Sequence, residues 1–218
     1  MAVCIVVCMI VGYLFGCIQT GYIVGRVNKI DIRDYGSGNS GTTNTLRTLG
    51  KTAAIITFLG DAVKGLVAVN LARYVIMPAF HVEGEAYLWL LTGFAVVLGH
   101  NFPFYLGFKG GKGIATSLGV LLMSNWQIGL ICLVFALVLM VLTKMVSVGS
   151  CGAAVLFPVL TLFINENYTV LTEGKSGKVY FVYSVILAII VLYNHRANIK
   201  RIMSGTENKL SFGKKETK

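Results

Sequence analysis

Three short segments of this 218-residue chain combine glycine with polar and basic side chains in a way that suits anion binding. The first is GSGNSGTTNTLR, residues 36–47, in which Ser37, Asn39 and Asn44 are hydrogen-bond donors and Arg47 closes the run. A guanidinium can bind a phosphate through two parallel hydrogen bonds. The competing interpretation is a turn-rich loop, in which Asn and Ser side chains bind neighbouring backbone groups.

The same segment contains the spacing G-x-G-x-x-G, which is typical of dinucleotide-binding folds. That motif needs a strand before the glycines, a helix after them and an acidic residue about 20 positions further on. Here the preceding residues, RVNKIDIRDY, are polar, and a long apolar run follows. The sequence therefore argues against a dinucleotide site.

The second segment is GHNFPFYLGFKGGKGIAT, residues 99–116. Its KGGKG core predicts a nest of backbone N–H groups around one anion, at the positive N-terminal end of a helix that starts near Ile114. It is not a Walker A loop, because Gly113 follows Lys112 where that motif has Ser or Thr. A flexible basic loop on anionic lipid is the alternative. The candidate phosphate-binding residues are Lys109, Gly110, Gly111, Lys112 and Gly113.

The third segment is NHRANIKRIMSGTENK, residues 194–209. Helical spacing places Asn194, Asn198 and Arg201 on one side, with His195 beside Asn198. A histidine there is a general base, a phosphate donor or simply an interfacial residue. Glu207 is expected to pair with a neighbouring Arg or Lys.

The composition indicates the kind of protein that must hold these segments. Hydrophobic residues make up 56% of the chain and charged residues only 13%, where a soluble domain carries about 25%. The mean hydropathy is +0.75. We interpret the chain as an all-α, polytopic integral membrane protein. The five cysteines lie in apolar stretches without C-x-x-C spacing, so neither a disulfide framework nor a metal site is expected.

Seven apolar segments are candidates for membrane crossings, and about seven transmembrane helices are expected in one domain covering residues 1–218. They are residues 2–24, 51–77, 86–100, 114–124, 128–143, 148–165 and 179–193. About 20 apolar residues are needed to cross the hydrocarbon core. Residues 114–124 are too few, which leaves a half-length helix or fusion with a neighbour. The main alternative is five crossings, with the third and fourth segments re-entrant.

The basic residues predict the orientation. Most of the 19 Lys and Arg residues fall in the loops after the first, third, fifth and seventh segments. Basic residues favour the cytoplasmic side, so the N-terminus is expected outside and the C-terminus in the cytoplasm. All three polar segments then share the cytoplasmic face. The net charge of +10 is explained by this bias and by anionic lipid, and it does not require nucleic acid.

Two of the charged residues in the second apolar segment lie near its middle. Asp61 and Lys64 are three residues apart and therefore share a helical face. An unpaired charge at this depth costs several kcal/mol. Mutual pairing is expected, which gives both residues a structural role; a transport pathway is the alternative.

The three segments, taken in order and together with DAVKG at residues 61–65, closely resemble the bacterial acyl-phosphate:glycerol-3-phosphate acyltransferases, the PlsY family. The resemblance covers nearly the whole chain, although Ser40 stands where such sequences often carry an apolar residue. It implies transfer of a fatty acyl group from acyl phosphate to the 1-hydroxyl of glycerol 3-phosphate, the first acylation in bacterial phospholipid synthesis. The products are 1-acylglycerol 3-phosphate (lysophosphatidic acid) and phosphate.

The resemblance also implies roles for individual residues. Ser37, Arg47, His195 and Asn198 are implied to be catalytic, and Glu207 to be structural. Either His195 or the departing phosphate takes the proton from the hydroxyl, and the sequence leaves both routes open. The residues expected to bind substrate are Asn39, Asn44, Lys109, Gly110, Gly111, Lys112, Gly113, Asn194 and Arg196.

The expected partners follow from the same resemblance. They are glycerol 3-phosphate, acyl phosphate and membrane lipids, with no metal, nucleotide cofactor, nucleic acid or protein partner. The expected location is the bacterial inner membrane, with the active site facing the cytoplasm. A membrane transporter of a phosphorylated metabolite is the alternative function. It accounts for the anion sites, but alternating access needs a site near the midplane rather than clusters on one face.

Overall fold

The structure is a computed structural model that describes residues 1–82, 86–163 and 177–210. This part of the chain contains helices and no strand, which confirms the all-α prediction. The helices are α1 (Ala2–Cys17), α2 (Thr20–Val27), α3 (Thr42–Leu49), α4 (Lys51–Leu71), α5 (Ala86–Asn101), α6 (Ile114–Ser124), α7 (Trp126–Thr143), α8 (Val146–Phe163), α9 (Gly177–Asn194) and α10 (Arg196–Met203). A π-helical turn, Ala72–Ile76, extends α4 into a last turn at Met77–Ala79.

Five stretches of the described helices are long and apolar enough to cross a membrane: Ala2–Val27, Lys51–Ala79, Leu88–Leu106, α7 and α8. The pair α9 and α10 makes a sixth if counted as one span, with a bend of 65° between them. Helix α6, with 11 residues, reaches only about 16 Å into a hydrocarbon core of about 30 Å. The half-length alternative for residues 114–124 therefore fits the structure.

The first predicted span is not one continuous helix. It breaks at Ile18, whose backbone is extended (φ −65°, ψ 102°), and resumes as α2. The break frees the Ile18 carbonyl, which accepts a hydrogen bond from Lys64 Nζ. It also leaves the Thr20 N–H to bond Asp61 Oδ1 at 3.4 Å. The helix is therefore interrupted at the point where its backbone groups hydrogen-bond the buried Lys64 and Asp61 side chains of α4.

Lys64 is the centre of a polar cluster inside the bundle. Its Nζ lies 2.9 Å from Asp61 Oδ1, which confirms the predicted pairing, and 2.7 Å from His100 Nδ1 on α5. The Lys64 side chain is 4% exposed and that of Asp61 is 1% exposed. With Ile18 O, these contacts use all three ammonium hydrogens. Helices α1, α4 and α5 are thus joined through one lysine.

Small residues let these helices approach closely. At the crossing of α1 and α5, a methyl group on Gly16 would overlap the Val96 carbonyl, and one on Gly99 would overlap the Tyr13 carbonyl. At the crossing of α4 and α6, a methyl group on Gly119 would overlap the backbone of Ala62. Such crossings are common in membrane bundles, where packing replaces the hydrophobic drive between helices. They fix α5 and α6, and with them the loop between the two.

The buried cluster yields a stability prediction. Asp61→Asn leaves the Lys64 ammonium without a countercharge, and breaking a buried ion pair in this way costs roughly 3–5 kcal/mol. The double variant Asp61→Asn, Lys64→Met is expected to recover most of that loss. The control, Asp34→Asn at an exposed carboxylate, is expected to stay within about 0.5 kcal/mol of the parent. Thermal unfolding of purified protein measures all three, and a parent-like Asp61→Asn would contradict the role assigned to this pair.

Candidate active site

A cavity of about 370 Å³ lies among the helices and is lined both by their ends and by residues further along them. One part of its wall is polar and cationic, and includes Ser37, Asn39, Arg47, Lys112, His195 and Asn198. The other part is apolar, and includes Leu121, Leu133, Leu137, Met140, Phe157 and Leu187. The three polar segments, which are far apart in sequence, therefore line one cavity that continues into an apolar channel.

Asn44 holds the first segment in shape. Its Nδ2 donates to the carbonyls of Ile32 (2.9 Å) and Tyr35 (3.0 Å), and its Oδ1 accepts from the Ser37 N–H at 2.8 Å. Both amide hydrogens are therefore used within the protein. These contacts favour a positioning role for Asn44, and its direct binding of substrate stays a prediction.

Arg47 lies one turn after Asn44 on α3, and both line the cavity. Among the residues that the structure describes, none forms a hydrogen bond or ion pair with its guanidinium. A planar cation with five donors thus faces the cavity and is available to an anion.

The second segment departs from the predicted anion nest. The N–H of Gly110 donates to the Asn101 carbonyl at 3.1 Å, and that of Gly111 to the His100 carbonyl at 3.0 Å. These two N–H groups cap the end of α5 and are not available for the predicted nest, so substrate binding by Gly110 and Gly111 stays a prediction without support from these contacts. The glycines are needed for space instead, because a methyl group at Gly110 would overlap the His100 carbonyl and one at Gly111 the His100 ring.

The remaining residues of the loop divide between cavity and solvent. Lys112 and Gly113 line the cavity, and Gly113 (φ 83°) directly precedes the first turn of α6. Lys109 is exposed and does not line it. Asn39 ties the first two segments together, because its Nδ2 donates to the Gly110 carbonyl at 3.0 Å. The groups of this loop that remain available to an anion are the Lys112 ammonium and the N-terminal end of α6.

Lys112 reaches across the cavity to the third segment, where its Nζ donates to Asn198 Oδ1. Burial lowers the pKa of Lys112 to about 8, against the opposing attraction of Glu207. The ammonium is thus charged at neutral pH but is held in a poorly solvated place. Such a cation gains strongly from a bound anion, because the anion replaces lost water.

Glu207, near the end of the third segment, holds that segment in shape. Its Oε1 accepts from Asn198 Nδ2 and from Ser147 Oγ, both at 2.8 Å, and its Oε2 accepts from Arg201 Nε at 2.8 Å. The expected pairing of Glu207 with a nearby basic residue is thus confirmed. Burial on its own would raise the pKa of Glu207, but the hydrogen bonds from Asn198, Ser147 and Arg201 outweigh it and lower the pKa.

His195 sits in the turn between α9 and α10, and its ring is held by its own helix. Nδ1 lies 2.8 Å from the Val191 carbonyl. Because a carbonyl only accepts, Nδ1 carries the hydrogen and Nε2 keeps a free lone pair. Burial, followed by the charge of Lys112, lowers the pKa of His195 to about 4. The imidazole is therefore neutral at physiological pH.

Two predicted substrate-binding residues in this segment do not line the cavity. Arg196 stacks on the Tyr193 ring at 4.4 Å and donates to the Tyr193 carbonyl. Asn194 has a buried Nδ2 with no partner among the described residues. Their binding of substrate stays a prediction without support from these contacts.

Sequence reasoning missed several residues of the site. His100 lines the cavity and touches both Lys64 and the loop at Gly111; its position at the head of the second segment was the available signal. Ser147, which binds Glu207, lies in an apolar run with no local signal. Asp61 also lines the cavity. No local pattern in the sequence indicated this, because Asp61 lies outside the three segments.

Comparisons with known proteins agree with the resemblance seen in the sequence. A family model described as glycerol-3-phosphate acyltransferase matches residues 6–205. A glycerol-3-phosphate acyltransferase of Thermoanaerobacter pseudethanolicus is 43% identical over 203 residues, which cover 92% of this chain and 93% of the relative. One of Clostridioides difficile is 42% identical over 210 residues, with 94% and 95% covered.

Two solved structures are similar in fold. Both are crystal structures of PlsY (YgiH), an integral membrane glycerol 3-phosphate acyltransferase, and each is 29% identical to this chain. The glycerol 3-phosphate form has a TM-score of 0.81 and covers 95% of this chain and 96% of its own. The lysophosphatidic acid form has a TM-score of 0.79, with 95% of both chains covered.

The lowered pKa of Lys112 yields a prediction about anion affinity. The ammonium is charged below pH 8 and loses its proton above it, so affinity for sulfate, whose own charge is constant in this range, is expected to fall as pH rises from about 7 to 9. Lys112→Arg should remove this fall, because a guanidinium stays protonated. Lys109→Arg, the same change at an exposed lysine outside the cavity, should leave it intact. Calorimetric titration measures these affinities, and a pH-independent affinity in the parent would exclude Lys112 as the ligand.

Proposed function

Because the chain belongs to the glycerol-3-phosphate acyltransferase family, we propose that it moves a fatty acyl group from acyl phosphate to the 1-hydroxyl of glycerol 3-phosphate. The products are 1-acylglycerol 3-phosphate (lysophosphatidic acid) and inorganic phosphate, and residues 1–218 act as one domain. One observation carries the proposal: a single cavity joins a cationic end, with Arg47 and Lys112, to an apolar channel. This combination matches an acyl phosphate, which has a phosphate at one end and a hydrocarbon chain at the other.

The polar and apolar parts of the cavity wall suit different parts of the two substrates. The acyl chain lies along the apolar channel, where burial contributes about 0.8 kcal/mol per methylene. Both phosphates lie at the polar end, where Arg47 and Lys112 supply two positive charges and the start of α6 supplies partial ones. Holding the donor carbonyl and the acceptor hydroxyl together in a cavity of this size supplies proximity, which can contribute about 7–11 kcal/mol to catalysis.

The reaction is one substitution at the acyl carbon. The O1 oxygen of glycerol 3-phosphate forms a bond to the carbonyl carbon, and the bond from that carbon to the phosphate oxygen breaks with its electron pair going to phosphate. The hydroxyl proton must leave during the attack. Ser37, Arg47 and Asn198 are proposed to hold the phosphate and the carbonyl in place, and Lys112 to stabilise charge on the leaving phosphate.

The proton has two possible acceptors, and the state of His195 favours one. Its Nε2 is free to accept, but a pKa of about 4 makes it a weak base. Phosphate groups have a second pKa near 6, above the lowered pKa of His195, so the departing phosphate is the stronger base. We therefore assign the proton to phosphate and propose that His195 orients the phosphate, because Nε2 can accept a hydrogen bond from the phosphate oxygen that has taken the proton.

Asn198 connects this chemistry to the structural carboxylate. Its Nδ2 is held by Glu207 and its Oδ1 by Lys112. Because an amide oxygen accepts while the amide nitrogen donates, Glu207 fixes which end of Asn198 faces Lys112. Glu207 is thus a positioning residue for Lys112, which agrees with the structural role implied by the family.

The orientation in the membrane is part of the proposal. The basic residues near Arg47, Lys112 and Arg201 border the polar end of the cavity and favour the cytoplasmic side by the positive-inside rule. The N-terminus then lies outside, in a bacterial inner membrane. The loop at 165–178 and the residues after 210 lie outside or at the border of the described residues, so support for this orientation comes from the sequence. Membrane lipids cover the apolar side chains exposed on α1, α4 and α7.

Transport of a phosphorylated metabolite is not favoured. The transport hypothesis required Asp61 and Lys64 to form an intramembrane pathway. Every ammonium hydrogen of Lys64, however, is used by Asp61, His100 and the Ile18 carbonyl. A lysine held in this way is a structural element. The cationic residues lie instead at one end of the bundle.

Purified protein tests the reaction and its donor. With glycerol 3-phosphate and acyl phosphate, we expect phosphate and lysophosphatidic acid to appear in equal amounts. Acyl-CoA is expected to be inactive, because the sequence contains no adenine-recognition motif. Efficient transfer from acyl-CoA would contradict the donor assignment. Uptake of glycerol 3-phosphate into liposomes without acyl transfer would contradict the enzyme altogether.

Variants of His195 separate the two proton routes. A general base contributes about 10²–10⁴-fold, so if His195 took the proton, Asn and Ala would both lose that factor. If phosphate takes it, His195→Asn should retain at least tenfold more kcat than His195→Ala, because the amide oxygen can still accept a hydrogen bond from the protonated phosphate. The parent should also lose kcat as the pH falls through about 6, the second pKa of phosphate, whereas a general base at His195, with its pKa lowered to about 4, would lose kcat only at lower pH. Equal and near-complete loss in both variants, with glycerol 3-phosphate still bound, would assign the proton to His195.

A further inference from the structure

The apolar channel has a definite inner end, built by three helices at the same depth. Tyr183 lies twelve residues before His195 on α9, and Phe157 lies eleven residues after Val146 on α8. At 1.5 Å per residue these positions are about 16–18 Å from the polar end. Cys132 lies at the matching depth on α7, eleven residues before Thr143. All three line the cavity.

Tyr183 closes the channel against the other side of the bundle. Its side chain is buried, and a methyl group on Gly93 of α5 would come within 2.9 Å of its hydroxyl oxygen. The ring stacks with Tyr180 (6.3 Å between centroids), and Tyr180 packs edge-on against Phe157 at 5.7 Å. The Tyr180 hydroxyl is paired with Ser124 Oγ at 3.0 Å. These aromatic rings are therefore supported from behind and do not move aside freely.

The Tyr183 hydroxyl is buried and has no hydrogen-bond partner among the described residues. A buried hydroxyl without a partner costs free energy, so packing alone would have favoured phenylalanine. Its presence at the inner end of an otherwise apolar channel marks a boundary rather than ordinary core packing.

We propose that Tyr183, Phe157 and Cys132 form the closed inner end of an acyl-chain channel and thereby set the longest acyl chain that the protein accepts. The inference rests on the proposed acyl transfer and adds its chain-length selectivity. The channel length agrees with the depth of one bilayer leaflet, about 15 Å of hydrocarbon, which is the length of an ordinary membrane acyl chain.

A closed end predicts a specific dependence on chain length. Each further methylene buried in the channel should tighten binding about fourfold until the chain touches Tyr183. One methylene beyond that must displace a supported ring, and affinity should then fall roughly tenfold. An open groove along the lipid face would instead show no such maximum.

The test measures binding and transfer over a homologous series of saturated chains. Alkyl phosphates, which cannot transfer an acyl group, report the binding optimum, and acyl phosphates report the transfer optimum. Phe157→Ala deepens the channel and should move both optima to longer chains. Ala154→Phe, which fills the cavity wall one turn nearer the polar end, should move them to shorter chains. Phe163→Ala is the matched control, because this ring is 80% exposed on the same helix, and should leave both optima unchanged.

Each outcome decides one claim. Unchanged optima in folded Phe157→Ala and Ala154→Phe would overturn the channel end. Should Phe157→Ala not fold, Tyr183→Phe is the second variant, because it keeps the ring and removes only the hydroxyl. We expect it to accept about one further methylene. Unchanged optima in both Tyr183→Phe and Ala154→Phe would also overturn the proposal. A parent with a sharp binding optimum but no acyl transfer would reject the proposed function and leave the channel end standing.

Discussion

A buried ammonium is the constraint on which the rest of this structure depends. Lys64 lies where an unpaired charge is costly, and it is satisfied by Asp61, His100 and the Ile18 carbonyl together. Meeting that need breaks the first helix at Ile18 and fixes the end of α5 through His100. The fixed end of α5 then receives the N–H groups of Gly110 and Gly111. The position of Lys112 at the cavity therefore follows from a charge buried on another helix.

The polar end of the cavity holds two cations whose charge is not fully compensated by the described residues. Arg47 has no partner among the described residues, while Lys112 is only partly satisfied through Asn198. Burial holds the pKa values of both Lys112 and His195 below their usual range. Both shifts have the same cause, since the site removes water from charged groups without supplying a full countercharge. A phosphate would supply it, which is why preorganisation of this kind suits phosphate chemistry.

The two ends of the cavity are stabilised by different interactions, hydrogen bonds at one end and apolar packing at the other. The cationic end is held by hydrogen bonds that converge on Glu207 and Asn44, and these tolerate little change in geometry. The apolar channel depends on packing, and its inner end is limited by the supported rings of Phe157 and Tyr183. This division of the cavity matches the two ends of the amphiphilic substrate that we propose. The short helix α6 contributes to both ends, because its first turn lies at the cationic end and its later turns line the channel.

The sequence by itself determined the class of protein, the helical segments and the three polar clusters, because composition, hydropathy and residue spacing are local properties. It also indicated that Asp61 and Lys64 pair, since the cost of a buried charge requires a partner. Only the tertiary structure decided how the glycines of the second segment are used: their N–H groups cap α5 instead of surrounding an anion. It also decided that Ser147 and His100 join the site and that Tyr183 ends the channel. These depend on contacts between residues far apart in sequence, which no local pattern records.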